Sequence, residues 1–347
     1  MKHPLIRLLL IAALGMGWVA GCGSDDEKPA GGGAASTPAQ KKIRVAMVTD
    51  IGGLNDRSFN ALAYKGLQRA KAELGGDIRV VTSSKNADYV PNLSSLARQK
   101  YDLIVAVGFL MAEATDKVAK SFPNVNFAII DFSQAGLKSK PANVQGLVFR
   151  EQEAGYLAGY VAGLYVKDKG GDQVISSVGG QSIPPVDHYI AGYQAGAKKA
   201  NPGVKTLNAY TEDFIDPAKC KELALNQIGE GSQVVFQVAG QCGLGALDAA
   251  KEKDVQGIGV DADQGYLGPQ VMTSALKKID LAVLQVVKDV QAGQFKKGTD
   301  AVFDLKGDGV GLGKLSPAAE PFKADVETVQ QQIADGTVRD IPDEVAK

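Results

Sequence analysis

Ile43-Arg44-Val45-Ala46-Met47-Val48-Thr49-Asp50-Ile51-Gly52-Gly53-Leu54-Asn55-Asp56-Arg57-Ser58-Phe59-Asn60 is the stretch that decides the fold. Residues 43–49 are mostly apolar and β-branched, the pattern of a parallel strand buried on both faces. Gly52 and Gly53 permit a tight turn, and Asp56 stands where its carboxylate can cap the next helix. Phe59 then falls in the first turn of that helix. Strand, glycine turn and helix begin a crossover unit, and ligands of open parallel sheets bind beyond the carboxyl ends of the strands. A large aromatic at such a place offers a stacking face to a flat ligand. Taken alone, the same residues serve equally well as a plain helix cap and a core aromatic.

The pattern repeats outward from there. Strand-like runs at 78–82, 102–107, 126–131 and 144–149 alternate with helical stretches at 57–74, 89–98 and 111–122. It restarts after a helix at 151–165, with strands near 173–178, 204–210, 234–238 and 257–261. Two such runs imply an α/β protein of two doubly wound parallel-sheet lobes. A strand-like run at 271–276, a helix at 279–291 and a further run at 301–305 lack a sheet of their own, so they must join the two already built. The chain is therefore expected to recross near residues 149, 277 and 298, giving a three-crossing hinge. Lobe 1 is then 43–148 plus 278–297, and lobe 2 is 149–277 plus 298–347.

Composition supports two domains and removes several functions. A chain of 347 residues exceeds what one core usually fills. With 38 Lys and Arg against 39 Asp and Glu, it lacks the basic surface that a nucleic-acid polymer requires. His3 and His188 are the only histidines, and Cys22, Cys220 and Cys242 the only cysteines, which is poor material for a histidine-based triad or a zinc site. No cofactor is expected.

The amino terminus reads as an export signal. Lys2 and Arg7 precede an apolar run at 5–20 that is short for a membrane-spanning helix, and small residues lead into Cys22. This resembles the lipobox of bacterial lipoproteins, which implies cleavage of residues 1–21 and lipidation of Cys22. An ordinary signal followed by a chance cysteine is the alternative. Residues 22–42, rich in Gly, Ala, Ser and Pro, read as a tether. Removing 1–21 leaves 36 basic and 39 acidic residues, and takes away Trp18, the only tryptophan.

The other strand ends supply polar groups and turns. Asp131 ends one strand, and Asp261 ends another inside Gly257-Ile258-Gly259-Val260-Asp261-Ala262-Asp263. Phe236 lies in the strand that leads to Gly240. Carboxylates converging from both lobes suit a ligand rich in hydroxyl or N–H donors and suit a phosphate badly. The glycine-rich runs at 243–245 and 307–313 lack both the GxGxxG order and a P-loop lysine, so they read as turns. His188 has no partner at metal-ligand spacing and reads as a solvent or hinge residue. Cys220 and Cys242 open neighbouring crossover helices at one sheet edge, where a disulfide is feasible, with two free buried thiols as the alternative.

Thr49-Asp50-x-Gly52-Gly53-x-Asn55-Asp56-x-Ser58-Phe59-Asn60, Phe127 to Asp131, Gly259-Val260-Asp261-Ala262-Asp263 and Met272 to Lys277 together resemble the basic membrane protein family of lipoproteins, whose PnrA-like members are substrate-binding components of ABC importers. The resemblance spans about residues 43–315 and implies a type I periplasmic-binding-protein-like fold. It implies a purine nucleoside as ligand, an ABC permease as partner, a lipid-anchored extracytoplasmic place on the cell membrane, and a monomer without enzymatic activity. Carried onto these positions, Phe59 stacks on the base with Phe236 as a second aromatic wall. Asp131, Asn60 and Asp50 bond the base edge, Asp261 binds the ribose hydroxyls, Lys277 pairs with Asp261 or reaches the sugar, and Gly240 presents its backbone N–H. Two other classes remain open: the same fold holding another small polar ligand such as a sugar, and a nucleoside hydrolase using Asp261 and Asp263 to hold calcium.

Overall fold

The computed structural model describes residues 42–346. The leader, Cys22 and all of the tether but Lys42 lie outside the described residues. Among the described residues, no helix is long and apolar enough to cross a membrane.

Five strands and three helices open the fold: β1 Arg44–Val48, α1 Phe59–Leu74, β2 Asp77–Val81, α2 Tyr89–Arg98, β3 Leu103–Ala106, α3 Ala112–Ser121, β4 Asn126–Ile130 and β5 Val144–Phe149. The long helix α4 Glu151–Lys169 leads into β6 Val174–Gly179, α5 Pro184–Ala200, β7 Lys205–Tyr210, α6 Pro217–Gly229, β8 Ser232–Val238, α7 Gly243–Glu252, β9 Gln256–Asp261 and β10 Val271–Lys277. The chain ends with α8 Ile279–Gln291, β11 Thr299–Phe303, β12 Val310–Leu312 and α9 Lys323–Ala334. The central strands are apolar throughout because helices cover both of their faces; all four residues of β3 are buried. Helix α1 turns Asn60, Ala63, Gly66, Leu67 and Ala70 inward at helical spacing.

Two six-stranded sheets result, ordered β11-β5-β4-β3-β1-β2 and β12-β10-β9-β8-β6-β7. Set side by side, the orders match position for position. β1 corresponds to β6, β3 to β8, β4 to β9 and β5 to β10, so the five strands β1–β5 of one lobe and β6–β10 of the other repeat one topology, and only the edge strands β11 and β12 differ in direction. Asp131, just past β4, and Asp261, ending β9, are therefore counterparts, and both hold a left-handed backbone with φ of 68° and 59°. Gly108 past β3 and Gly240 past β8 likewise both have positive φ, at 114° and 55°. All strand pairings are parallel except β12 against β10.

The chain passes from the first sheet to the second after Phe149, returns after Lys277, and crosses again after Phe303. The last crossing differs from the expectation of residue 298, because Thr299–Phe303 pairs in parallel with Gln145–Phe149 and so belongs to lobe 1. Asp300 fixes this placement by accepting bonds from Ser133 Oγ (2.5 Å) and the Gln134 amide (2.7 Å) in the turn after β4. Periodicity marks a strand but does not say which free edge it joins.

Cys220 in α6 and Cys242 at the start of α7 form a disulfide with Cα atoms 5.5 Å apart. It closes a loop spanning 22 positions, which contributes about 3 kcal/mol in the chain-entropy account. It also joins the two crossover helices that follow the Phe214 and Gly240 turns.

Helix α4 is buried nearly all round and packs on α5 through Gly155, Gly159 and Gly163, which lie against the backbone at Tyr189, Tyr193 and Ala197, while Gly192 and Gly196 of α5 lie against that at Gln152 and Tyr156. A Cβ at Gly159 would overlap the Tyr193 carbonyl oxygen. Replacing Gly159 by Ala should therefore cost about 1–3 kcal/mol in urea denaturation, more than the ~1 kcal/mol that alanine gains in a helix. Gly229→Ala, where nothing stands within 4 Å of the added carbon, should be neutral or stabilising. Equal effects at the two positions would contradict this packing.

Candidate functional site

The turn after β1 builds one wall of a cleft between the lobes. Asp56 accepts the Asn60 amide (2.7 Å) on one oxygen and the Ser58 and Ala61 amides (both 3.1 Å) on the other, which starts α1 and places Phe59 at its first position. The Asn60 side-chain nitrogen donates to Asp50 (2.7 Å) and Asp56 (3.0 Å), and Asp50 also accepts the Gly52 amide (2.8 Å). Asn60 Oδ1 is buried without a protein partner. Burial lifts the Asp50 carboxyl to about 6, against the bonds from Asn60 and Gly52.

Lobe 2 faces this wall with Asp261, Tyr189, Phe214 and the Gly240 turn, across a space of about 650 Å³ that includes its opening to solvent. Asp261 accepts from Ser58 Oγ of lobe 1 (2.6 Å) and from the Tyr189 hydroxyl (3.3 Å). Its carboxyl is raised by burial, with Lys277 and Ser58 working against the shift. Gly108 and Gly240 let backbone approach closely: a Cβ on Gly108 would stand 3.2 Å from Asp50 Oδ2, and one on Gly240 would stand 3.4 Å from the Phe214 carbonyl oxygen.

Lys277, the last residue of β10, is 2% exposed and lies between two carboxylates, 2.6 Å from Asp131 and 2.8 Å from Glu151. Phe59, Phe149 and Tyr189 surround its ammonium at 5.3, 5.0 and 5.9 Å from the ring centres. Burial works against the ammonium, yet Asp131, Glu151 and Asp261 outweigh it and hold its pKa above the usual range. Burial lifts Asp131 to about 7, since it shares the one ammonium with a second carboxylate. Burial pushes Glu151 up as well, but Lys277 and His188 outweigh it and hold it below its usual range. His188 stands 3.2 Å from Glu151, beside the crossing into α4. Burial pulls its imidazolium down, while the bond to Glu151 and its charge keep the pKa raised.

Asp50, Phe59, Asn60, Asp131, Gly240, Asp261 and Lys277 thus all line one space. Phe236 does not. It is fully buried two residues short of the end of β8, edge-on to Tyr189 at 6.1 Å and 5.0 Å from Tyr193, and Val238 reaches the cleft in its place. Tyr189 and Phe214 supply the aromatic surface of lobe 2. The pairing of Lys277 also differs from one of its expectations: its partners are Asp131 and Glu151, while Asp261 bonds Ser58 and Tyr189. Asp261 and Asp263 diverge, the latter accepting the Gly265 and Lys314 amides (both 3.2 Å), and among the described residues no group of three or more acidic, His or Cys side chains is placed to hold a metal. Sequence reading missed Ser58, Glu151, Tyr189 and Phe214. Tyr189 was findable from the topological repeat, since α5 occupies in lobe 2 the place of α1 in lobe 1.

A site with apolar rings on both sides and several carboxylates around one ammonium accepts hydrogen bonds and rejects anions. With that geometry in view, the family described as ABC transporter substrate-binding protein PnrA-like matches residues 43–343. The chain is 33% identical over 360 residues to the ABC transporter nucleoside-binding protein BmpA of Lactococcus lactis subsp. cremoris, covering 97% of this chain and 99% of that protein. It is 36% identical over 327 residues to an uncharacterized lipoprotein of Pyrococcus abyssi, covering 91% of this chain and 78% of the other. A solute-binding protein of an ABC transporter system from Aeropyrum pernix K1 has a similar structure, with a TM-score of 0.78 at 30% identity, covering 86% of this chain and 94% of that one.

Removing the ammonium tests the electrostatics. Lys277→Met strands the Asp131 and Glu151 carboxylates, which should destabilise the protein by about 3–5 kcal/mol at pH 8. Unpaired buried carboxyls have raised pKa values in the folded state, so stability is lost as pH rises and regained as it falls. Urea denaturation should show the deficit shrinking from pH 8 to pH 5. A deficit independent of pH would contradict the arrangement.

Proposed function

The chain belongs to the PnrA-like family of ABC transporter substrate-binding proteins, and from that premise we propose that it is a lipid-anchored receptor that closes on a purine nucleoside and presents it to a membrane permease. The observation that carries this reading is that Phe59 of lobe 1 and Asp261 of lobe 2 face the same space. A flat base lies against Phe59, with Tyr189 and Phe214 opposite; each aromatic contact contributes about 0.5–1.5 kcal/mol beyond area burial. Asp50, Asn60 and Asp131 take the base edge, where the unpartnered Asn60 oxygen adds an acceptor. Asp261 takes the ribose hydroxyls, with the Gly240 N–H and Lys277 beside it. Cys22 carries the lipid on the extracytoplasmic side, a reading supported by the lipoprotein among its relatives.

Stacking does not choose among flat bases, but acceptors built to meet hydroxyls reject ligands that lack them, because buried carboxylates are then left unsatisfied. Contacts from both lobes coexist only when the cleft is shut, so the nucleoside shifts the population toward the closed form by its differential affinity. A permease can then tell loaded from empty receptor by shape.

Calorimetric titration should show adenosine, guanosine or inosine binding at least tenfold more tightly than adenine, guanine and the corresponding 2′-deoxynucleosides, with Phe59→Ala weakening all of them. Free bases binding as tightly as their nucleosides would overturn the reading. Asp50 and Asp131 titrate near 6 and 7, and ligand donors favour their ionised forms. Binding should therefore release protons and tighten as pH rises from 5.5 to 7.5; affinity that is flat or falls over this interval would contradict the assigned contacts.

A further inference from the structure

Ser58 occupies the N-cap position of α1, where a serine hydroxyl ordinarily accepts an amide of the first turn. Here it makes no such bond, because Asp56 takes the amides of Ser58, Asn60 and Ala61. The hydroxyl, released from its helix, crosses the cleft. It lies 2.6 Å from Asp261 Oδ2 and 3.2 Å from the Val260 carbonyl oxygen, and the residue is fully buried. The backbone of Ser58 belongs to lobe 1 and both partners belong to lobe 2. One residue earlier, Arg57, with φ of 54°, turns its carbonyl toward the Gln264 side-chain amide at 3.5 Å across the same seam.

We propose that Ser58 is an interlobe latch and a positioning residue: its hydroxyl orients the Asp261 carboxylate toward the ligand and holds the closed form shut. A carboxylate accepts about four hydrogen bonds, so Asp261 keeps acceptor capacity for a ligand after receiving Ser58 and Tyr189. The Ser58 bond exists only when the lobes meet, and it needs no ligand. It therefore raises the closed fraction of the empty receptor, and apparent affinity scales with the fraction that is competent. Encounter takes place with the open form, so the latch acts on release rather than on association. This inference rests on the reading of the cleft as the closing site of a nucleoside receptor.

The test compares wild type, Ser58→Ala, Ser58→Gly, Asp261→Asn and the Ser58→Ala/Asp261→Asn double variant. Adenosine, guanosine and inosine serve as probes. Hydrogen bonds to a charged group support a release rate about tenfold to hundredfold faster in both Ser58 variants, with association changed by less than about threefold. Small-angle scattering of the ligand-free protein should show a larger radius of gyration in both. The double variant should release no faster than Asp261→Asn. Glycine is tolerated at an N-cap, so Ser58→Gly separates loss of the hydroxyl from loss of helix stability. Wild-type release and wild-type scattering in both folded Ser58 variants would overturn the latch. If wild type binds none of the three nucleosides, the receptor reading fails while scattering still judges the latch.

Discussion

One buried ammonium, shared between two carboxylates at the hinge, is the constraint on which the rest of the structure depends. Lys277 ends the strand from which the chain returns to lobe 1, Glu151 begins the helix by which it left, and Asp131 closes a lobe 1 strand. A single charge thus ties two crossings to the edge of the opposite sheet. Buried ion pairs seldom add net stability over apolar residues of similar size, because desolvation offsets the Coulombic gain. Here the cluster has another use: it holds Phe59, Phe149 and Tyr189 around the same point and leaves the cleft rich in acceptors.

The remainder follows from repetition of one topology. Because the sheets share their strand order, equivalent strand ends meet across the cleft, and each lobe contributes an aspartate in the left-handed region and a glycine beside it. The walls are stiff. Helix α4, on which the second sheet packs, is locked to α5 by glycines that bring the two backbones together, and the disulfide ties α6 to α7 beneath the Phe214 and Gly240 turns. Rigid lobes joined by three crossings allow closure but restrict it to a hinge-like path.

Much of this was legible in the sequence. Buried parallel strands announce themselves as apolar runs, and the glycine turn with Asp56, Phe59 and Asn60 announces a strand-end site. What stayed hidden depended on register and on contact between lobes. Phe236 looked like a cleft residue because its strand leads there, but it sits two residues too early and turns into the core. β11 was readable as a strand, yet its partner was set by Asp300 meeting the turn after β4. Asp56 read as the helix cap and is one, but nothing in the local pattern shows that the Ser58 hydroxyl beside it reaches Asp261 of the other lobe. The partners of Lys277 were fixed by the fold, since Glu151 lies 126 positions away and reaches it only when two crossings lie side by side.

Native mass spectrometry most directly tests whether the cleft closes on a nucleoside. The protein would be mixed with equimolar adenosine, guanosine, inosine, uridine, ribose and glucose. A one-to-one complex is expected whose added mass is that of a purine nucleoside, lost when Phe59 or Asp261 is replaced by alanine. A complex with a sugar alone, or no complex at all from a folded protein, would contradict it.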